Sequence, residues 1–237
     1  LYFDTMRIDP AKPDDPDRDR FVLSKGHCTP ALYSVLAMRG FFPREMLSTF
    51  RSIDGHLSGH AEMRHVPGVD MSTGSLGQGM STAVGMAMAG QVDKKDYRVY
   101  AVLGDGELEE GQVWEAAMAA GNYHPDNLCV FVDNNNIQID GTLEEIMSPY
   151  PIDKKFEAFN FHVINADAHD FDAIRAAFKE ARETKGMPTC IVFHSLKGKG
   201  VSFMDNSVDW HGKAPNDEQL AQAVSELKAK IKQVEGN

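Results

Sequence analysis

The chain has 237 residues, 42% hydrophobic and 25% charged, with a formal net charge of −11, which is the profile of a globular domain large enough for one sizeable α/β core. The acidic excess argues against a nucleic-acid partner, which would call for clustered cations to displace counterions from phosphates. No run of about 18 apolar residues and no cationic-then-apolar leader is seen, so the expectation is a cytoplasmic protein with no membrane partner.

The spacing of Leu1, Tyr2, Phe3, Met6 and Ile8 is helical, as if the chain begins inside a helix. Asp9 to Arg20 is Pro- and charge-rich and reads as an exposed loop before a short strand, Phe21-Val22-Leu23. Thr29-Pro30 offers an N-cap and an N1 proline for a helix through Met38, closed by Gly40. Ser52 to Gly79 is loop-like and rich in Gly and His, and a small-residue helix follows over Gln78–Ala89.

Beyond it the pattern is regular. Strands are expected at Val99–Leu103, Leu128–Val132, Phe161–Ile164 and Thr189–Phe193, with helices at Gly111–Ala120 and Phe171–Arg182. Alternating apolar strands and helices imply an α/β fold, a mostly parallel sheet with helices on both faces. Gln219–Val234 closes the chain as an amphipathic helix with Leu220, Val224, Leu227 and Ile231 on one side. Cys28, Cys129 and Cys190 lie far apart and read as small core or near-core residues of a reducing compartment.

The chemistry concentrates where strands end. Gly104-Asp105-Gly106 follows one buried strand and precedes a helix; the glycines permit close backbone approach, and Asp105 is suited to a hard cation. The next strand ends in Asp133-Asn134-Asn135-Asn136, so adjacent parallel strands would bring Asp105 and Asn135 together. Asp105, Asn135 and the carbonyl of Ile137 could supply the protein's share of a magnesium shell. His56, His60 and His65 with Glu62 could suggest zinc, but Gly55 and Gly59 argue for a loop without helical or hairpin ligand geometry.

Gly104-Asp105-Gly106, twenty-seven intervening residues and then Asn134-Asn135 resemble the fingerprint of thiamine diphosphate enzymes. The surrounding motifs are similar specifically to the diphosphate-binding half of transketolase: FVLSKGH ending at His27, SGH ending at His60, TGSLGQG over 73–79, DNNNIQIDG over 133–141, and WHG at 210–212. The resemblance implies thiamine diphosphate with magnesium, or calcium or manganese in its place, and sugar phosphates as substrates. It implies contacts to cofactor or substrate from His27, His60 and His211, backbone and apolar contacts to the cofactor from Gly74 and Leu76, and a diphosphate contact from Lys197. Glu110 takes the position of a family glutamate near the subunit interface. His56, His65, His124, His162, His169 and His194 have no such counterpart and read as surface or packing residues.

The resemblance also implies what is lacking. Residues 1–237 read as a single diphosphate-binding domain. A preceding segment with an SGHPG-type motif is expected before Leu1, and the pyrimidine-binding and C-terminal domains are expected on a partner chain, in an α2β2 heterotetramer. A naturally split enzyme ending at Asn237 is the favoured form, and a piece cut from a longer chain is the alternative. The implied activity is reversible two-carbon ketol transfer in the pentose phosphate pathway. A sulfosugar or branched-chain sugar phosphate, or a non-catalytic domain retaining the fold, are the other readings. A nicotinamide dehydrogenase is disfavoured, because Gly74 to Gly79 does not follow a strand as a G-x-G-x-x-G turn would.

Overall fold

Strands apolar on both faces need cover on both sides. In the computed structural model, which describes residues 1–236, the chain runs β1 (Arg20–Leu23), α1 (Thr29–Arg39), α2 (Gln78–Val92), β2 (Val99–Gly104), α3 (Gly111–Tyr123) and β3 (Leu128–Asn134). It continues through a small hairpin of β4 (Ile137–Gln138) and β5 (Gly141–Thr142), then α4 (Leu143–Ile146), α5 (Ile152–Ala158), β6 (His162–Asp167), α6 (Phe171–Glu183), β7 (Thr189–His194) and α7 (Asp217–Glu235). Short 3₁₀ turns cover Arg44–Thr49, Gly106–Glu109 and Val208–Trp210. The main sheet has the order β1-β2-β3-β7-β6, and every pairing in it is parallel. The register sets Gly104 beside Asp133 and Asn134 beside His194, so all the polar strand ends open on one edge of the sheet.

Period-two alternation sorts the core into two layers. Tyr100, Val102, Cys129, Ile191 and Phe193 pack with Leu32 and Leu36 of α1 and Phe178 of α6. Val99, Ala101, Leu103, Val130, Val132 and Cys190 meet the small residues Ala83, Ala87, Ala117 and Ala120 of α2 and α3. Those alanines are fully buried, and their size lets both helices lie close on the sheet. Cys129 and Cys190 are buried and unpaired, and Cys28 is half-buried.

Several sequence expectations need correction. Leu1 to Met6 is one turn rather than a helix: the Leu1 carbonyl accepts from Thr5 N at 2.9 Å and Met6 N at 3.0 Å, burying Tyr2 and Met6, and the chain then leaves toward Asp19. Thr29 does not cap α1. Cys28 holds that position without a side-chain bond, because the buried Thr29 hydroxyl donates instead to the Gly59 carbonyl at 2.8 Å. α2 and α3 each run three residues beyond their expected ends, to Val92 and Tyr123. β4, β5, α4 and α5 were not expected at all; they are too short for periodicity to show. On α7, Leu220, Val224, Leu227 and Ile231 are 38–54% exposed, and Ala223 is its buried residue among those described. Asn237, the end of the expected domain, lies outside the described residues.

Candidate functional site

The ends of β2 and β3 are tied to each other by Asp105. Its Oδ1 accepts from Gly106 N at 2.9 Å and its Oδ2 from Asn136 N at 2.5 Å, joining the two turns that follow adjacent strands. The side chain is 2% exposed; burial pushes its carboxyl pKa up, opposed by those two N–H groups. Asn135 is half-buried, and its Oδ1 accepts from Ile137 N at 3.1 Å, which turns the chain into the β4–β5 hairpin. Asp105 therefore meets the Asn135-Asn136 turn through backbone, and both side chains bring hard oxygen donors to it.

Beside this pair stands a second charged cluster that sequence reasoning did not single out. Lys25, just past β1, donates to Asp133 Oδ2 at 2.5 Å, and the Ser195 hydroxyl donates to Asp133 Oδ1. Burial alone would raise the Asp133 pKa, but Lys25 and Ser195 outweigh it and hold the carboxyl below its usual value; Asp133 in turn keeps the Lys25 pKa high against burial. Glu107, 3% exposed, accepts from Ser24 Oγ at 2.5 Å, Gly77 N at 2.8 Å and Gly104 N at 3.1 Å. The available signal was a charge placed against an apolar run, as Lys25 follows Phe-Val-Leu-Ser and Asp133 follows Leu-Cys-Val-Phe-Val.

The histidines form the facing wall. The rings of His27 and His211 stack with centroids 5.4 Å apart. Partial burial, then the charges of His211, Lys25, His60 and Lys197, push the His27 pKa down to about 4. Burial, Lys197 and Lys25 also lower that of His211. His211 Nδ1 is buried and has no hydrogen-bond partner among the described residues. Its loop is held by Phe203 packed on Trp210 at 5.2 Å and by Lys213 over the same indole. Lys197 lies within Coulombic reach of both rings, its own pKa lowered by burial and then by Lys25. The loop bearing it is pinned by Ser195 N donating to the Asn134 carbonyl at 3.0 Å and Leu196 N donating to His169 Nε2 at 2.8 Å.

His60 comes in from the long loop and touches Gly74, where a Cβ would meet the imidazole at 3.0 Å. Leu76 is half-buried in the same loop, next to Gly77, whose φ of +82° opens α2. Glu110 stands apart. It is exposed, occupies the N-cap position of α3 without a side-chain bond, and meets the cluster through its own N–H, which donates to the Glu107 carbonyl at 3.1 Å, and where a Cβ on Gly77 would lie 3.1 Å from its Cβ. A polar cavity of about 630 Å³ opens at the ends of β3 and β7, lined by Asn134, Asn135, Tyr150 and Ser195 among others. Among the described residues no three His, Cys, Asp or Glu side chains gather into a metal cluster. The donor set at Asp105 and Asn135 is instead carboxylate and amide oxygen, which suits a magnesium-like cation that keeps part of its shell for phosphate and water. Lys25, Lys197, His27 and the unpartnered nitrogen of His211 are the groups nearby with the chemistry to hold an anion.

Comparison with known proteins gives a consistent picture. Residues 1–233 match the family described as transketolase, thiamine diphosphate binding domain. The chain is 47% identical to a 6-deoxy-6-sulfo-D-fructose transketolase subunit of Clostridium sp. (strain MSTE9), covering 96% of this chain and 82% of that one. It is 43% identical to an apulose-4-phosphate transketolase subunit of Phocaeicola vulgatus, covering 99% of this chain and 83% of that one. The transketolase of Campylobacter jejuni superposes with a TM-score of 0.90 at 32% identity over 96% of this chain, which spans 37% of that longer protein.

Proposed function

Because the chain belongs to the transketolase family, as its thiamine diphosphate-binding domain, we propose that its strand-end site holds magnesium and the diphosphate of that cofactor for two-carbon ketol transfer from a ketose phosphate to an aldose phosphate. The observation that carries this reading is the pairing of two walls: Asp105 bonded across to the Asn135-Asn136 turn, with the Lys25–Asp133 pair beside it, on one side, and Lys197, His27 and His211 on the other. When bound, thiamine diphosphate supplies the carbon nucleophile and the electron sink.

The chain's own residues bind and orient. Asp105, Asn135 and the Ile137 carbonyl hold magnesium, with calcium or manganese as substitutes. Gly104, Gly106 and Gly74 admit backbone close to the phosphates, Leu76 packs against the cofactor, and Lys197 and Lys25 offset the phosphate charge. The lowered pKa values keep His27 and His211 neutral at pH 7, able to accept a proton from a substrate hydroxyl or donate a hydrogen bond to one. His60 extends the same wall. Glu110, exposed at the start of α3, links to a second copy of this chain across an interface.

The site is completed by a C-terminal transketolase subunit carrying the pyrimidine-binding domain, in an α2β2 assembly. The pentose phosphate pathway is the first reading of the sugar. A sulfosugar or branched-chain sugar phosphate is the second, supported by the subunit relatives at 47% and 43% identity, of whose length this chain spans over four-fifths. The test is to isolate the native complex, measure its mass and bound thiamine diphosphate, and assay it with xylulose 5-phosphate, 6-deoxy-6-sulfofructose and apulose 4-phosphate as ketol donors. A cofactor-bearing two-plus-two complex that transfers a ketol unit from one of them is expected; a cofactor-free protein inert toward all three would overturn the proposal.

A further inference from the structure

Glu107 is buried behind the acidic wall, and its carboxylate is bonded to three separate segments of the site. Oε1 accepts from Ser24 Oγ, at the end of β1, and from Gly77 N, at the start of α2; Oε2 accepts from Gly104 N, where β2 ends. The segments are packed backbone to backbone at this point. A Cβ on Gly79 would lie 2.6 Å from Ser24 Cα, and one on Gly26 would lie 2.6 Å from Gly74 N. The Thr73 hydroxyl adds a bond to the Leu23 carbonyl at 2.6 Å. A buried carboxylate with three donors is a strong tether, since hydrogen bonds to a charged acceptor are stronger than neutral ones and leaving any of these N–H groups unpaired is costly.

We propose that Glu107 is a positioning residue that sets the separation between the Thr73–Gly79 loop and the Gly104-Asp105-Gly106 turn, and so the fit of the diphosphate between them, without contacting it. This rests on the reading of the cleft as a thiamine diphosphate site. A neutral isostere keeps the volume and loses the clasp: a Gln amide offers one accepting oxygen where the carboxylate offers two, and turns an N–H toward either Gly77 N or Gly104 N.

The experiment compares the parent, Glu107→Gln and Ser24→Ala in the full-length protein with its partner subunit. Half-saturation by thiamine diphosphate at saturating magnesium and kcat are measured on the complex, and amide hydrogen exchange at Gly77 and Gly104 on the cofactor-free form. For Glu107→Gln the half-saturation concentration should rise about tenfold while kcat falls by a smaller factor, and both amides should exchange faster. Ser24→Ala, which removes one bond and no charge, should shift half-saturation about threefold in the same direction, and decides the matter if Glu107→Gln does not fold. Faster exchange with half-saturation within twofold of the parent would make Glu107 merely structural and overturn the proposal. If the parent complex itself fails to bind thiamine diphosphate, the reading of the cleft fails instead.

Discussion

The two walls of the cleft are built differently. On the acidic wall each charged group is already satisfied by the protein: Asp105 by two N–H groups, Asp133 by Lys25 and Ser195, Glu107 by three donors. On the histidine wall the side chains of His27, His60 and His211 form no hydrogen bond among the described residues, and His211 Nδ1 is buried without a partner. Unpaired buried polar groups are costly and uncommon in native proteins. The difference teaches that the acidic wall is part of the fold and stands without ligand, whereas the histidine wall is finished by what binds.

That contrast can be broken at several points. The largest effect is expected from Asp105→Ala, which removes the charged oxygen donor at the meeting of the two turns. Magnesium-dependent affinity for thiamine diphosphate should fall by at least about 100-fold in a calorimetric titration, and unchanged affinity would remove Asp105 from the metal site. Next comes Lys25→Met, which leaves the half-buried Asp133 carboxylate without its cation, beside neutral Ser195 and Asn135. The cofactor-free protein should lose about 2 kcal/mol in urea unfolding. His211→Leu should act oppositely, altering cofactor-free stability by no more than about 0.5 kcal/mol while cofactor affinity drops, because the lost nitrogen has no partner within the fold. An equal loss of stability from the lysine and histidine variants would erase the distinction between the walls.

The smallest expected effect is a pH dependence. The His27 pKa, lowered from 6.5 to about 4, means the folded state resists protonation that the unfolded chain accepts, so His27 favours folding above pH 6.5 and that contribution is lost as pH falls toward 4. Asp105 and Glu107, raised by burial, work in the opposite direction on acidification. The stability difference between the parent and His27→Gln isolates the histidine and should shrink or reverse between pH 6.5 and 4. In NMR titration the His27 ring should move its midpoint upward when the diphosphate binds, since an adjacent anion favours the imidazolium.

The fold was legible in sequence because β2, β3 and β7 at the centre of the main sheet are apolar runs flanked by turn residues, and α6 carries a clean amphipathic period with an Asp170 cap that bonds Asp172 N and Ala173 N. The segment 135–158 was not, because its two-residue strands and one- or two-turn helices are fixed by local bonds such as the Thr142–Glu145 capping box rather than by periodicity. At the site, Asp105 and its flanking glycines could be found from their place at a strand end, and the histidines from the resemblance of their surrounding motifs to the family's. Glu107 could not be distinguished from Glu109 and Glu110 by spacing. Of those three acids, the one the fold buries is separated from the others by helical phase and the closeness of three chain segments, and both are properties of the assembled sheet. The exposed stripe on α7 teaches the converse, since amphipathic spacing predicts an apolar face without saying whether this chain covers it.

The most direct measurement of the central claim is a titration of thiamine diphosphate into the assembled, cofactor-free complex, with and without magnesium. The account predicts saturable binding to one site per copy of this chain, strengthened by magnesium and lost in Asp105→Ala. Binding that is indifferent both to magnesium and to Asp105 would contradict it.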